Sequence, residues 1–317
     1  MKRFLLNIFL FLIILICGCA CLLAFDFFVV GNQYNNNYEA ALIDKVDRLE
    51  SLGSPKIILV GNSNLAFGIN SAMIEEEMGM DVVNTGLFLG LGNAFNENIA
   101  KLNIGEGDIV VVCHNYYYDD DEISDRTLAW VAIEKNLELW KILRPKDYVP
   151  MIEAYPEYSR KAFYRWITQT GNEHDVQLYQ RDCFNEYGDF AYRFDSRQID
   201  PDTYFSEVSV PVPMVNNLCT DRLNELNRFV TDRGASMVIA AYPIAYGEYS
   251  TFSESDFEAF RDRLQSSVDC EVISDYTDYF YSYDKFYDML LHLKAESTDE
   301  RTAQLIADLK AWQEDQA

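Results

Sequence analysis

From Lys56 onward, short apolar runs alternate with longer segments in which apolar residues recur at helical spacing. This pattern predicts short strands separated by helices. Runs short enough for buried strands lie at residues 57–60, 81–84, 109–113, 237–241 and 270–273. Apolar residues recur at helical spacing over residues 71–78, 93–102, 220–232, 256–266 and 299–313. This alternation is typical of a parallel sheet covered by helices. We therefore predict an α/β fold, a three-layer α/β/α flavodoxin-like sandwich with a parallel five-stranded sheet.

A long insertion is predicted at about residues 119–217, between the third and fourth strands, because this segment exceeds what a single crossover needs. It is rich in tryptophan and tyrosine, including Trp130, Trp140, Trp166, Tyr155, Tyr158 and Tyr164. Aromatic faces suit stacking on sugar rings, yet aromatic residues at helical spacing are more often core. We expect a mostly helical insertion that covers the strand ends, and both roles for its aromatic residues stay open.

The N-terminus carries an apolar stretch from Phe4 to Phe25. About 20 such residues cross a bilayer as a helix. A cleaved signal peptide has a shorter apolar core and a small-residue cleavage site, and neither is evident; the stretch also outlasts Cys19, which faintly resembles a lipoprotein position. We therefore predict an uncleaved transmembrane signal anchor at residues 1–30, a polar tether at 31–37 and the folded domain at 38–317.

The charge of the chain indicates which partners to exclude and on which side of the membrane the domain is expected. It has 51 acidic and 26 basic side chains, a formal net charge of −25. This charge repels phosphate backbones, so nucleic acid is not expected as a partner. Lys2 and Arg3 precede the apolar stretch of the anchor, and the positive-inside bias keeps them cytoplasmic. The prediction is a single-pass cell-membrane protein with its domain on the extracytoplasmic side.

Cysteine and acidic residues give no sign of a metal centre. No cysteine spacing resembles a zinc or iron–sulfur site, and the consecutive carboxylates at residues 119–121 cannot easily converge on one ion. No metal and no cofactor are predicted. Cys183 and Cys219 could form a disulfide in an oxidising compartment, and the sequence leaves that question open.

Candidate chemistry centres on Ser63, Asp288 and His292. Ser63 lies just after the first predicted strand, and Asp288 and His292 stand four residues apart more than two hundred residues later. Serine is a weak nucleophile unless a base takes its proton, and histidine suits that role near neutrality. Gly-x-Ser turns also occur for purely conformational reasons, so the remote Asp–His pair gives the pattern its weight. We predict Ser63 as nucleophile, His292 as base and Asp288 as the group that orients it.

Two other histidines compete with His292. His114 adjoins Asn115, but neighbouring strand residues point to opposite faces, so the two side chains are not expected in one site. His174 lies in a polar stretch and is expected at the surface.

These segments resemble the SGNH/GDSL superfamily of esterases and acyltransferases, in particular its membrane-anchored bacterial cell-envelope branch, which includes D-alanyl-transfer and alginate-acetylation proteins. The Gly-Asp-Ser block of the family corresponds to residues 61–63, and its closing Asp and His correspond to Asp288 and His292. The chain departs from the family pattern at Asn62, which replaces Asp, and at Lys294 and Ser297, which replace Asn and Gly.

The resemblance also implies an oxyanion hole. The second family block, an Asn followed shortly by Gly, resembles residues 84–90, and it implies Gly90 as the glycine donor, with Gly86 as the alternative. The third block ends a strand with an Asn that donates a side-chain hydrogen bond, which implies Asn115. This third block lacks its usual Gly and its trailing Asp.

The implied function is a serine esterase or acyltransferase acting on ester-linked acetyl or D-alanyl groups. The expected substrates are cell-envelope polysaccharides or teichoic acids, with a membrane-bound O-acyltransferase as a possible partner. The alternative is a catalytically inactive SGNH-like scaffold or glycan-binding protein. The acyl group, the acceptor, the direction of the reaction and the oligomeric state are left open by the sequence.

Overall fold

The computed structural model describes residues 2–117, 122–168, 179–193 and 197–316. Its strands, numbered along the chain, are β1 Lys56–Gly61, β2 Asp81–Asn84, β3 Ile109–Cys113, β4 Ser236–Ile239, β5 Ile244–Ala245, β6 Glu271–Val272 and β7 Phe280–Tyr281. Five of these strands form a parallel sheet in the order β2-β1-β3-β4-β6. The predicted α/β class and the parallel five-stranded sheet are confirmed. The remaining two strands, β5 and β7, form a short parallel pair.

Helices connect and cover the strands. They are α1 Lys2–Phe25, α2 Ala41–Ser51, α3 Ser63–Ala66, α4 Ser71–Met78, α5 Asn93–Ala100, α6 Arg126–Ile133, α7 Glu138–Lys141, α8 Pro145–Thr168, α9 Pro201–Glu207, α10 Asn217–Thr231, α11 Glu254–Gln265 and α12 Ala295–Gln316. Helices α6 to α9 lie in the described parts of the insertion. The carboxylates at 119–121 and His174 lie outside the described residues.

Two apolar cores lie on opposite faces of the sheet. Successive residues of a strand point to opposite faces, so Ile58 and Val60 of β1 belong to one core and Ile57 and Leu59 to the other. The first core is large and includes residues of α2, α5, α10 and α11, with much of the insertion. The second is smaller and is closed by residues of α4 and α12. The sheet is therefore covered on both faces.

The N-terminal helix stands apart from both cores. None of the residues of α1 is buried, and with the π-helical turn Asp26–Val30 it forms the one helix in the described chain that is long and apolar enough to cross a membrane. The segment predicted as a tether begins with the 3-10 turn Gly31–Tyr34, in which Tyr34 is buried. Arg181 donates hydrogen bonds to the Asn35 carbonyl and to Asp44. This segment is therefore packed on the domain.

Cys183 and Cys219 are both buried, and no disulfide joins them in this structure.

Candidate active site

Ser63 lies in a tightly held turn between β1 and α3. Asn62 caps α3, because its Oδ1 accepts hydrogen bonds from the Asn64 amide at 3.1 Å and the Asn64 side chain at 2.9 Å. Asn64 Nδ2 also donates to the Cys113 carbonyl at 3.0 Å, which fixes the turn to the end of β3. Ser63 is half-buried at the first position of α3, and its hydroxyl makes no hydrogen bond within the described chain. The turn thus presents a serine with an unengaged hydroxyl at the carboxyl edge of the sheet.

Arg301, a fully buried arginine of α12, donates hydrogen bonds that fix this turn. Arg301 of α12 donates from Nη1 to the Asn64 carbonyl at 2.6 Å and from Nη2 to Asn64 Oδ1 at 3.0 Å. It also reaches the Ala241 carbonyl beyond β4 at 3.3 Å. Burial lowers the pKa of this guanidinium, and the three carbonyl contacts compensate for part of its lost hydration. Sequence reasoning missed Arg301, because its neighbours Asp299 and Glu300 give the segment the pattern of a solvated helix face.

Asp288 and His292 form the predicted pair. His292 Nδ1 lies 2.7 Å from Asp288 Oδ1, so the carboxylate orients the ring. The imidazole stacks on Phe67, with the ring centroids 3.9 Å apart and the planes at 3°. Its second nitrogen, Nε2, is buried and has no hydrogen-bond partner among the described residues. Burial lowers the pKa of His292, and the hydrogen bond and charge of Asp288 act in the opposite direction. The ring is therefore neutral at pH 7, the form that can accept a proton.

The insertion supplies groups that hold Asp288. The Tyr179 hydroxyl donates a hydrogen bond to Asp288 Oδ2, and Arg197 Nε lies 3.8 Å from the same oxygen. The Arg197 guanidinium also lies over the Tyr179 ring, 4.1 Å from its centroid. Neither residue was predicted, because contacts across about a hundred residues of chain leave no local pattern.

Arg193 joins the two halves of the candidate site. It donates to the Phe67 carbonyl at 2.5 Å, just past α3, and to the Leu293 carbonyl at 3.0 Å, next to His292. Burial lowers its pKa to about 10, so it remains charged at neutral pH. Arg193 therefore fixes the position of the histidine segment relative to the helix that carries Ser63.

Ser63 and His292 lie on neighbouring segments but are not joined. Phe67, the residue on which His292 stacks, is one helical turn beyond Ser63, and its amide donates to the Ser63 carbonyl at 2.9 Å. No hydrogen bond connects the Ser63 hydroxyl with His292 Nε2 in the described structure. The structure thus assembles the Asp–His pair, and the contact between His292 and the Ser63 hydroxyl is not made.

The three residues expected in an oxyanion hole have different environments. Asn115 is half-buried beside the serine turn, and its Oδ1 accepts from Asn62 Nδ2 at 2.5 Å, which leaves its own amide group as a donor. The Gly86 amide is engaged by Asn84 Oδ1 at 3.0 Å. Gly90 lies in the turn Leu89–Leu91, and its carbonyl accepts from the Ser124 amide at 2.9 Å. Asn115 is therefore the candidate donor that contacts the serine turn.

His114 belongs to a separate buried cluster, as expected, although it and Asn115 lie just beyond the end of β3. Its Nε2 lies 2.8 Å from Glu97 Oε1, and Arg222 Nε donates to Glu97 Oε2 at 2.7 Å. Burial acts to raise the pKa of Glu97, but the contacts with His114 and Arg222 outweigh it and lower that pKa. His114 is occupied there, whereas Asn115 contacts the serine turn.

Comparison of the chain with profiles of protein families, with curated proteins and with solved structures gives no match.

Proposed function

We propose that this protein is a membrane-anchored serine esterase or acyltransferase of SGNH type, acting on ester-linked acetyl or D-alanyl groups of cell-envelope glycans or teichoic acids. Ser63 is the nucleophile, His292 the general base and Asp288 the residue that orients the base. Asn115 and the Ser63 amide stabilise the oxyanion, with Gly90 as the third donor. The strand order and the two cores support a flavodoxin-like three-layer sandwich.

One observation carries the proposal: the Asp288–His292 pair, at 2.7 Å, leaves Nε2 without a partner on a ring packed one turn from Ser63. A histidine oriented through Nδ1 and free at Nε2 is the arrangement that activates a serine hydroxyl. Hydrogen bonds between catalytic groups are often longer without substrate, and they shorten when substrate binds. The proposal therefore requires a movement of the segment around His292 that brings Nε2 to the Ser63 hydroxyl.

The reaction follows from these roles. His292 Nε2 takes the proton of the Ser63 hydroxyl as its oxygen attacks the ester carbonyl, and the Asp288 carboxylate stabilises the resulting imidazolium. The imidazolium then protonates the departing alcohol, which leaves an acyl group on Ser63. Water or a sugar hydroxyl, deprotonated by His292, removes that acyl group and restores the serine. Hydrolysis and transfer differ only in this acceptor.

The test is covalent labelling of the purified full chain with a fluorophosphonate probe. Wild-type protein is expected to be labelled, and Ser63→Ala is expected to abolish labelling because the attacking oxygen is gone. Ser206→Ala is the matched control, since Ser206 is an exposed serine of α9 whose hydroxyl donates to the Thr203 carbonyl of its own helix. Undiminished labelling of Ser63→Ala would show that Ser63 is not the nucleophile.

The second candidate function is a catalytically inactive scaffold or glycan-binding protein of the same fold. The unmade contact between Ser63 and the buried His292 Nε2 favours it. If wild-type protein is neither labelled nor able to cleave a small acetyl ester, yet binds polysaccharide, this candidate replaces the first.

A further inference from the structure

Helix α8 exposes a group of large apolar side chains at its C-terminal end. Tyr164 is 64% exposed and Ile167 is 60% exposed, and Phe163 and Trp166 are also open to the surroundings. The opposite side of the same helix is packed, because Tyr158 and Ala162 are buried in the large core. We call residues 160–167 the α8 aromatic end. Contiguous exposed apolar groups of this kind mark a surface that contacts another phase or molecule.

This surface lies beside the end of the apolar helix α1. The rings of Trp166 and Phe25 meet edge to face, with centroids 5.3 Å apart. Earlier in α8, the Tyr155 hydroxyl donates a hydrogen bond to the carboxylate of Asp26, which directly follows α1. Lys135, just after α6, lies over the Phe27 ring at 3.8 Å. The α8 aromatic end is therefore attached to the point where the chain leaves α1.

The length of α1 sets the depth of this point. Its 24 residues extend about 36 Å, and the hydrocarbon core of a bilayer is about 30 Å thick. With Lys2 and Arg3 at one boundary, Phe25 lies at the other. Trp166 is then at the level of the headgroups, where tryptophan and tyrosine are enriched in membrane proteins.

The charge of the α8 aromatic end is opposite to that of the whole protein. It contains Arg160, Lys161 and Arg165 and no acidic residue, whereas the chain carries a net charge of −25. Arg160 and Lys161 are well exposed and share Glu157, one turn earlier, as their ion-pair partner. Basic side chains beside exposed aromatic ones are typical of helices that lie in a membrane interface with anionic lipids.

We infer that the α8 aromatic end is a membrane-docking surface, which lies in the headgroup region of the bilayer that α1 crosses. Trp166, Tyr164 and Ile167 enter the interface, and Arg160 and Lys161 meet anionic headgroups. The inference rests on the anchoring role of α1 and is independent of the proposed catalytic function. Lipid is favoured as the occupant because the surface is continuous with Phe25 of the spanning helix.

The test is quenching of tryptophan fluorescence by lipids brominated on the acyl chain near the headgroup. The full chain is placed in nanodiscs of phosphatidylcholine and phosphatidylglycerol, and its emission is compared with and without bromine. The chain has four tryptophans. Trp166→Phe is expected to lose at least half of the wild-type quenching. Trp312→Phe is the matched control and should keep it, because Trp312 packs against the core on the opposite face of the sheet.

A second variant separates docking from a folding defect. In the Trp166→Phe background, Phe163→Trp is expected to restore quenching, because residue 163 lies on the same surface, with its ring 5.7 Å from that of Trp166. Removing phosphatidylglycerol, or changing Arg160→Glu and Lys161→Glu together, is expected to reduce quenching at least twofold. Wild-type quenching that is absent, unchanged in Trp166→Phe or insensitive to lipid charge would overturn the inference. A chain that does not enter nanodiscs at all would refute the anchoring role of α1 instead.

Discussion

At the scale of single residues, two opposing effects determine the pKa of the His292 imidazole. Burial disfavours the imidazolium and lowers the pKa, while the Asp288 carboxylate favours the imidazolium and raises it, and burial prevails. The unfolded chain therefore binds a proton at higher pH than the folded chain does. Below pH ~6.5 this group makes the folded state less stable as the pH falls, and at pH 7 it leaves the ring neutral.

The pH dependence of fluorophosphonate labelling should report this balance. The rate is expected to fall on the acid side with a midpoint below pH ~6.5, because only neutral His292 accepts the serine proton. Asp288→Asn should slow labelling by a factor on the order of 10³ or more, since the ring loses the carboxylate that orients it and stabilises its charge. A midpoint above that of free histidine, or an unaffected Asp288→Asn variant, would contradict the assignment.

Residue type and spacing point to the candidate catalytic residues, but they do not reveal the residues that hold the candidate site together. Ser63, Asp288 and His292 carry chemical types and spacings that are visible in the sequence. Arg301 and Arg193 donate hydrogen bonds to backbone carbonyls. The sequence alone does not distinguish such a buried arginine from one that is exposed to water. Tyr179 reaches Asp288 from the insertion, and no period or spacing indicates such a contact.

At the scale of elements, prediction succeeds best for strands that a change of residue type delimits. Strand β3 matches its predicted bounds because it is a run of five buried apolar residues, and β2 matches because its two buried valines lie between Asp81 and Asn84. Helix α12 begins at Ala295, four residues before its predicted start, because Ser297 and Thr298 are polar yet buried in its first turn. The two-residue strands β5 and β7 and the four-residue helix α3 are too short to show a period.

The starts of β1 and β3 are joined by a buried ion pair that can be measured. Lys56 Nζ lies 2.7 Å from Asp108 Oδ2, both side chains are fully buried, and Asp108 also accepts the Lys56 amide at 2.9 Å. Lys56→Met is expected to lower the free energy of unfolding by about 3 kcal/mol or more, because it leaves a buried carboxylate without its cation. Urea unfolding of the full chain in detergent measures the loss.

The double variant provides the control for that prediction. Lys56→Met combined with Asp108→Asn is expected to cost less than the sum of the two single changes, since no uncompensated charge remains. Strictly additive losses would show that the pair contributes no coupling.

At the scale of the whole molecule, charge and the apolar helix divide the chain into two unlike parts. Residues 2 and 3, the first two residues of α1, are basic, and the long remainder carries the acidic excess. The bilayer retains the positively charged flank on the cytoplasmic side more readily than the acidic domain. The protein is thereby expected to present its whole folded domain outside the cytoplasm.

Protease digestion of intact bacterial spheroplasts tests this orientation. Protease added outside is expected to digest the domain while a cytoplasmic marker survives. Lys2→Glu combined with Arg3→Glu should raise the protected fraction, because it removes the charge bias that sets the orientation. A wild-type domain that stays protected until the membrane is lysed would place it in the cytoplasm.

The packed segment after α1 determines how far the domain can travel. A free chain of seven residues would let it wander over roughly 15 Å. Here, Tyr34 is buried and Asn35 is bonded to Arg181, so the domain is held in a fixed position relative to the end of α1. Under the proposed function, that position sets the height of the candidate site above the membrane. Only those acyl groups of the envelope that lie at this height would then reach Ser63.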